Sequence, residues 1–266
     1  MIKHSFTLCI LLLLCGISMA QSYNNPESIA YDQAADRYFV SNKSGNTIVQ
    51  LDSDEKVTTF VSDDLNGPKG LLIVGDTLIS VNNTSVQGFL LSDASRVFNI
   101  LIDGAVFMND VTSDNKGNLY VSDTSTGKVY QISLKTGKYS TLVDSLVSPN
   151  GLLYDSTRHA ILICNWGGNA KIQSFNLSDS SLSDLVTTEL SNLDGLTCDD
   201  KGNIYVSSWG SNAVYRFDAS FKNSPVLISE GHNGPADISI IQDKQILCIP
   251  NFNSNTIQFV NLDHQK

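Results

Sequence analysis

Six positions recur along the chain at nearly constant spacing: Glu27, Lys69, Asn109, Asn150, Asp194 and Ala236, separated by 42, 40, 41, 44 and 42 residues. Five of them sit in short strand-like runs that read 26-PESIAYD-32, 68-PKGLLIV-74, 108-MNDVTSD-114, 149-PNGLLYD-155 and 193-LDGLTCD-199. Four of the six side chains carry oxygen: two carboxylates and two amides. Hard divalent cations such as calcium take ligands of this kind. The set contains no His or Cys, which makes zinc a poor fit. Together Glu27 and Asp194 carry the charge that a divalent ion would neutralise. A plainer reading stands beside this one, because Asn-Gly and Asp-Gly are also common turn dipeptides. Glu27, followed by Ser-Ile, is not turn chemistry.

The elements that must position these residues repeat with them. Asp114-Asn115-Lys116-Gly117-Asn118 precedes 119-LYVSD-123, and Asp199-Asp200-Lys201-Gly202-Asn203 precedes 204-IYVSS-208. The first segment of each pair is turn chemistry and the second is strand chemistry. A third strand follows in most repeats, as in 47-TIVQLD-52, 128-KVYQISL-134, 171-KIQSFNL-177 and 256-TIQFVNL-262, and a fourth as in 139-YSTLV-143. Four short antiparallel strands per repeat of about 40 residues, six times over, predict an all-β fold, a six-bladed β-propeller. The register places a fourth strand for the closing blade near residues 16–21. The closing blade is therefore expected either to be incomplete, with three strands, or to be finished by a stub at 21–25.

In such a ring the first strand of each blade lines the central channel. The loop between strands two and three opens on the same face as the six recurring positions. Those loops run Asn42-Lys43, Asn82-Asn83, Asp123-Thr124, Asn165-Trp166, Ser208-Trp209 and Asn251-Phe252. Trp166, Trp209 and Phe252 are thus expected on adjacent blades, either walling a pocket against an apolar or sugar-like ligand or packing between blades. His232 falls in the loop entering blade six on that face, as a solvated residue or a proton-transfer group.

Formal net charge is −10 over 266 residues, which argues against binding a phosphate backbone. No nucleic-acid partner is expected. Residues 1–20 show a basic start, an apolar run and small residues at Ser18 and Ala20, the pattern of a secretory signal cleaved near Ala20. The expectation is a secreted or periplasmic protein whose residues 21–266 form a single propeller domain. No other stretch is apolar enough to span a membrane. Cys164, Cys198 and Cys248 lie in apolar runs and read as buried small hydrophobes, although one disulfide among them is compatible with the sequence. No G-x-S-x-G elbow, Walker loop or G-x-G-x-x-G fingerprint occurs.

Four segments, Pro26-Glu27-Ser28, Phe107-Met108-Asn109-Asp110, Pro149-Asn150-Gly151-Leu152 and Leu193-Asp194-Gly195-Leu196, resemble the regucalcin/gluconolactonase family of six-bladed propellers. The resemblance extends over about residues 25–262, and the blade consensus also looks like NHL repeats. It implies one divalent metal, calcium being favoured, held by Glu27, Asn150 and Asp194, with Asn109 contacting metal or substrate. It further implies hydrolysis of a small-molecule sugar lactone or ester, with Asp194 as catalytic base or nucleophile. Lys69, Asn109, Trp166, Trp209 and His232 would contact that substrate. Family lactonases often carry Arg two residues before the position of Asn109, where this chain has Phe107. Lys69 could supply the missing cation, or pair with Glu27 and fill the mouth without an ion. The alternative function is a non-catalytic, NHL-type propeller that binds a ligand or protein on the same face. A monomer is expected in either case.

Overall fold

The computed structural model describes residues 23–54 and 56–263, and every regular element among them is a β-strand. Blade one comprises β1 (Pro26–Asp32), β2 (Arg37–Asn42), β3 (Thr47–Leu51) and β4 (Val57–Val61). Blade two comprises β5 (Leu71–Val74), β6 (Thr77–Val81), β7 (Ser85–Leu90) and β8 (Arg96–Leu101). Blade three comprises β9 (Met108–Ser113), β10 (Asn118–Asp123), β11 (Lys128–Ser133) and β12 (Tyr139–Val143). Blade four comprises β13 (Pro149–Asp155), β14 (Ala160–Asn165), β15 (Lys171–Asn176) and β16 (Leu182–Thr187). Blade five comprises β17 (Leu193–Cys198), β18 (Ile204–Ser208), β19 (Ala213–Phe217) and β20 (Val226–Glu230). Blade six holds β21 (Ser239–Ile241), β22 (Ile246–Asn251) and β23 (Thr256–Asn261). Strands pair antiparallel with their chain neighbours within each sheet, which gives the six-bladed β-propeller.

The closing blade has three strands among the described residues, and residues 23–25 form none. The proposed leader at 1–20 and the candidate strand near 16–21 lie outside the described residues. Blade six is tied to blade one by other means. Asn25 N donates to Asn255 Oδ1 at 2.7 Å, Asn25 Nδ2 to Phe252 O at 2.9 Å, and Asp237 N to Glu27 O at 2.8 Å.

The strands form because their residues alternate β-branched or aromatic with polar, and fixed turns join them. Asp114 Oδ1 accepts from Lys116 N and Asn118 N at 2.8 and 3.1 Å, and Asp199 Oδ1 accepts from Lys201 N and Asn203 N at 3.0 and 2.8 Å. Gly117 and Gly202 hold the left-handed φ that these turns need, at +93° and +79°. The apolar core is divided among the gaps between blades. One cluster joins Val81 and Val86 of blade two to Met108 and Val121 of blade three. Another joins Leu162 and Cys164 of blade four to Leu196 and Val206 of blade five. A third closes the ring, with Ile29 and Val40 of blade one against Ile241 and Cys248 of blade six. The three described cysteines are unpaired, and Cys164 and Cys248 are buried. No helix among the described residues is long and apolar enough to cross a membrane.

The innermost strands depart from regular pairing where the recurring residues sit. In blade one the register passes from Pro26↔Asn42 to Ile29↔Val40, so Glu27 and Ser28 together face Ser41. The same two-against-one bulge sets Asn109 and Asp110 against Ser122, Asn150 and Gly151 against Cys164, and Asp194 and Gly195 against Ser207. A bulge of this kind bends the strand and re-aims its side chains. The small residue opposite each bulge then fixes it. Ser41 Oγ accepts from Ser28 N at 2.9 Å, Ser122 Oγ from Asp110 N at 3.0 Å, and Ser207 Oγ from Gly195 N at 2.8 Å. Two of these hydroxyls also donate to the next blade, Ser122 to Asn150 O and Ser207 to Ala236 O, both at 2.7 Å. Cys164 Sγ does the same to Asp194 O at 2.9 Å.

Glycine is required where two bulges meet most closely. A Cβ on Gly151 would lie 2.0 Å from Asp194 O and 3.0 Å from Cys164 Sγ. Overpacking of this kind costs about 1–3 kcal/mol or more. Gly168 has open space around it and no positive φ. Gly151→Ala should therefore lower the urea midpoint and melting temperature sharply, whereas Gly168→Ala should leave both nearly unchanged.

Candidate functional site

The bulged strands deliver their residues to one cavity of about 430 Å³ at the channel mouth, lined by Glu27, Lys69, Asn109, Asn150 and Asp194 among others. Ala236 occupies the sixth position and is fully buried. A second tier comes from the loops between strands two and three. The first residue of such a loop clasps the segment entering the blade. Asn42 Oδ1 accepts from Asn24 N at 3.1 Å, Asn82 Oδ1 from Asn66 N at 3.0 Å, and Asp123 Oδ1 from Phe107 N at 3.1 Å. The second residue lines the cavity in five blades: Lys43, Thr124, Trp166, Trp209 and Phe252.

The three aromatic residues on blades four to six do two jobs at once. Trp166 and Trp209 pack edge to face at 5.3 Å and 69°, and Trp209 and Phe252 form a tilted pair at 5.3 Å and 49°. They bridge the blades and form one continuous wall of the cavity. His232 is not among the lining residues. Its ring is buried, with Nδ1 3.1 Å from Asn251 Oδ1 and Nε2 2.9 Å from Ser229 Oγ. These contacts hold the loop entering blade six.

Lys69 does not pair with Glu27, since among the described residues no ion pair joins them within 4.0 Å. Its Nζ donates to Asn83 Oδ1 at 2.8 Å and to Gly67 O at 3.0 Å. The ammonium lies 4.5 Å from the centre of the Phe107 ring, and Lys43 Nζ lies 5.5 Å from the same ring and 5.4 Å from that of Phe252. Phe107 therefore offers an aromatic face near which two cations rest.

The acids of the site are buried. Glu27 and Asp194 are each 5% exposed, and Glu27 Oε2 is buried with no hydrogen-bond partner. Immediately after two of the ring positions come further acids, Asp110, which is buried, and Asp237, which is half-buried. Asp110 accepts from Val111 N and Leu152 N, both at 2.6 Å, and Asp237 accepts from Ser28 Oγ at 2.5 Å. Burial pushes the Glu27 carboxyl well above its ordinary range, and the Asp194 and Asp237 charges push it further, with Lys69 opposing. Asp194 is pushed up to about 8, first by burial and then by Asp237. Asn150 and the Trp209 indole pull Asp194 the other way, although Trp209 Nε1 makes no hydrogen bond of normal geometry. Burial raises Asp237 to about 7 and lowers Lys69 to about 8.

Among the described residues no group of three or more His, Cys, Asp or Glu side chains is placed to hold a metal. An ion here must therefore recruit the amides. Asn150 Nδ2 donates to Leu193 O at 3.2 Å, which leaves its Oδ1 on the cavity side, where it accepts from Asn109 Nδ2. A cation would compete with that N–H for the same oxygen. The orphaned Glu27 oxygen and the two buried carboxylates fit a hard divalent ion, which would supply the charge that burial removes.

The fold and this oxygen-lined mouth define a class, a six-bladed propeller with its candidate site at one end of the channel. The chain belongs to the SMP-30/Gluconolactonase/LRE-like family, whose description it matches over residues 25–225. No curated protein sequence matches it. Among solved structures, a gluconolactonase of Xanthomonas campestris is 16% identical, with a TM-score of 0.75 over 87% of this chain and 84% of that one. A regucalcin of Agrobacterium tumefaciens, described as a calcium-binding protein, is 15% identical, with a TM-score of 0.73 over 86% of this chain and 83% of that one. A chain of a nidogen/laminin complex is 16% identical, with a TM-score of 0.74 over 84% of this chain and 88% of that one. At these identities the likeness establishes the fold.

The pH dependence of stability follows from the raised acids. Asp194, with a folded value of about 8 against an ordinary 3.8, binds its proton more tightly when folded. Its contribution is complete below about pH 4 and lost as pH rises toward 8. In EDTA, urea unfolding should show the wild type losing more stability between pH 5 and pH 8 than Asp194→Asn, with a difference of at most about 1.4 kcal/mol per pH unit. Parallel pH profiles would contradict the buried-acid picture.

Proposed function

We propose that this propeller is a divalent-metal-dependent hydrolase of lactones or related esters, with calcium the favoured ion. The observation that carries the proposal is the buried, unpaired Glu27 Oε2 beside a second buried carboxylate, Asp194. Leaving such an acceptor unsatisfied costs about 1–3 kcal/mol, more for a charged group, and a bound cation would relieve that cost.

Glu27, Asn150 and Asp194 would hold the ion, with Asn109 turned to the ion or to the substrate. When bound there, a divalent cation supplies Lewis-acid polarisation of the scissile carbonyl and stabilises its developing negative charge. Asp194 would take the proton of the attacking water. The wall of Trp166, Trp209 and Phe252 holds the ring of the substrate and keeps bulk water from the reacting carbonyl. Export of the protein belongs to the same reading and rests on the pattern of residues 1–20.

The second reading, a propeller that binds a ligand or protein without turnover, is favoured by one observation. The nidogen/laminin chain resembles this fold as closely as the gluconolactonase does, with TM-scores of 0.74 and 0.75. The fold alone therefore does not separate the two, and the site must.

Calcium titration does so. At 100 times the dissociation constant a native-state ligand stabilises by about 2.7 kcal/mol, which raises Tm by roughly 5–10 °C for a domain of this size. Glu27→Gln should weaken that shift at least ten-fold in calcium concentration, and Asp194→Ala should abolish both the shift and the hydrolysis of aldonolactones. No shift with millimolar calcium, magnesium, manganese or zinc would overturn the metal-dependent reading.

A further inference from the structure

Among the described residues, four aromatic side chains line the cavity, and they come from four successive blades. Phe107, just before β9 of blade three, joins the wall of Trp166, Trp209 and Phe252 on blades four to six. The Lys43 ammonium, from blade one, lies 5.5 Å from the centre of the Phe107 ring and 5.4 Å from that of Phe252. One side chain thus reaches both ends of an aromatic arc. Lys69 Nζ, entering with blade two, lies 4.5 Å from the Phe107 ring.

The neutral polar side chains below this arc are committed to protein partners. Asn109 Nδ2 donates to Asn150 Oδ1 and, at 3.3 Å, to Thr124 Oγ1. Thr124 Oγ1 donates in turn to Pro149 O at 2.8 Å, and Asn150 Nδ2 donates to Leu193 O at 3.2 Å. Lys69 gives N–H groups to Gly67 O and Asn83 Oδ1. Trp209 Nε1 is buried, shut off from the open cavity. A sugar lactone carries a hydroxyl on most of its ring carbons, and each needs a partner when it leaves water. An aromatic ring needs none, and other rings and ammonium groups are attracted to its faces.

We infer that the cavity selects a lactone or ester whose ring system is aromatic or otherwise apolar rather than polyhydroxylated, and that Phe107 is a specificity-determining residue for it. The ring lies within the arc of Phe107, Trp166, Trp209 and Phe252, with Lys43 against its face, and the carbonyl points to the floor. The hydrolytic part of this statement rests on the proposed function; the selection of the ring does not. Aldonolactones are then the slower substrates of the site. The cavity of about 430 Å³ lies within the size range of small-molecule sites.

Two unreactive δ-lactams test the selection. One, 3,4-dihydroquinolin-2-one, has its lactam ring fused to benzene; the other, glucono-δ-lactam, carries hydroxyls instead. Both are titrated by calorimetry against the full chain in EDTA at pH 7. The aromatic lactam should bind at least about ten-fold tighter, since buried polar groups without partners are strongly rejected. Phe107→Leu keeps the bulk but removes the ring face, and should erode that advantage by weakening the aromatic lactam alone. Phe107→Tyr should restore it. Equal or tighter binding of glucono-δ-lactam, or binding of neither lactam at millimolar concentration, overturns the inference whatever the variants do. An undiminished preference in Phe107→Leu overturns the role of Phe107. In a second arm with calcium, kcat/KM is compared for dihydrocoumarin and glucono-δ-lactone, and dihydrocoumarin should lead. Faster turnover of glucono-δ-lactone overturns the ring selection and leaves the hydrolase reading standing. Preferred binding of the aromatic lactam with no hydrolysis of either lactone does the reverse.

Discussion

The site depends on a hydrogen bond between a small side chain on the second strand and the bulged backbone of the first. A regular strand would send successive side chains to opposite faces of the sheet. The two-against-one register at Glu27-Ser28, Asn109-Asp110, Asn150-Gly151 and Asp194-Gly195 breaks that alternation where the channel needs it. Ser41, Ser122 and Ser207 satisfy the amide that the bulge frees. Ser122, Cys164 and Ser207 also reach the ring residue of the following blade. Blades three and four therefore position the candidate site residues Asn150 and Asp194 of the blades that follow them, and blade five holds Ala236 in the same way. Cys164 needs no metal or redox role to explain it, because its thiol stands where other blades place a hydroxyl. The fit leaves no room for a methyl group at Gly151, so backbone contact and site geometry are one constraint.

That geometry has an electrostatic consequence. The channel gathers Glu27, Asp110 and Asp194, all buried, and the half-buried Asp237. Burial is the first cause of the raised proton affinity of every one of them, and their mutual repulsion adds to it for Glu27, Asp110 and Asp194. A protein gains no stability from such a cluster. Asp110 and Asp237 are held by their own donors, Val111 N, Leu152 N and Ser28 Oγ. Glu27 Oε2 lacks one. An unsatisfied buried acceptor calls for an explanation, and a bound ion is one that fits this oxygen-lined site.

The fold was legible because the repeat is short and its turns are chemically distinct. The Asp-x-x-Gly-Asn segments at 114–118 and 199–203 form the same turn by the same carboxylate bonds. Spacing then placed Glu27, Asn109, Asn150 and Asp194 on one face, and the loop alignment placed Trp166, Trp209 and Phe252 beside them. Other features left no local mark. Asp110 and Asp237 each follow a ring residue, and strand alternation assigns such a neighbour to the far face unless the bulge is known. Lys43 aligns with the aromatic loop positions, but nothing in its local sequence says that its cation will rest between Phe107 and Phe252. His232 is explained by Asn251 and Ser229, contacts set by loop closure rather than by sequence pattern. The fourth strand expected for blade six falls outside the described residues.

The departure at Phe107 looks at first like a lost function, because an aromatic ring stands where the family resemblance leads one to expect an arginine. The surrounding contacts argue for a relocated charge instead. Phe107 offers its face to Lys69 at 4.5 Å and Lys43 at 5.5 Å, so the cations approach from blades one and two rather than from blade three. An arginine at 107 would present a planar, bidentate fork in a fixed direction. Lysines present compact charges on flexible stems, with donors that rotate. Lys69 is locked by Gly67 and Asn83, while Lys43 sits on the rim and is half-buried. One cation is thus fixed beside the candidate ion site and the other can follow a ligand.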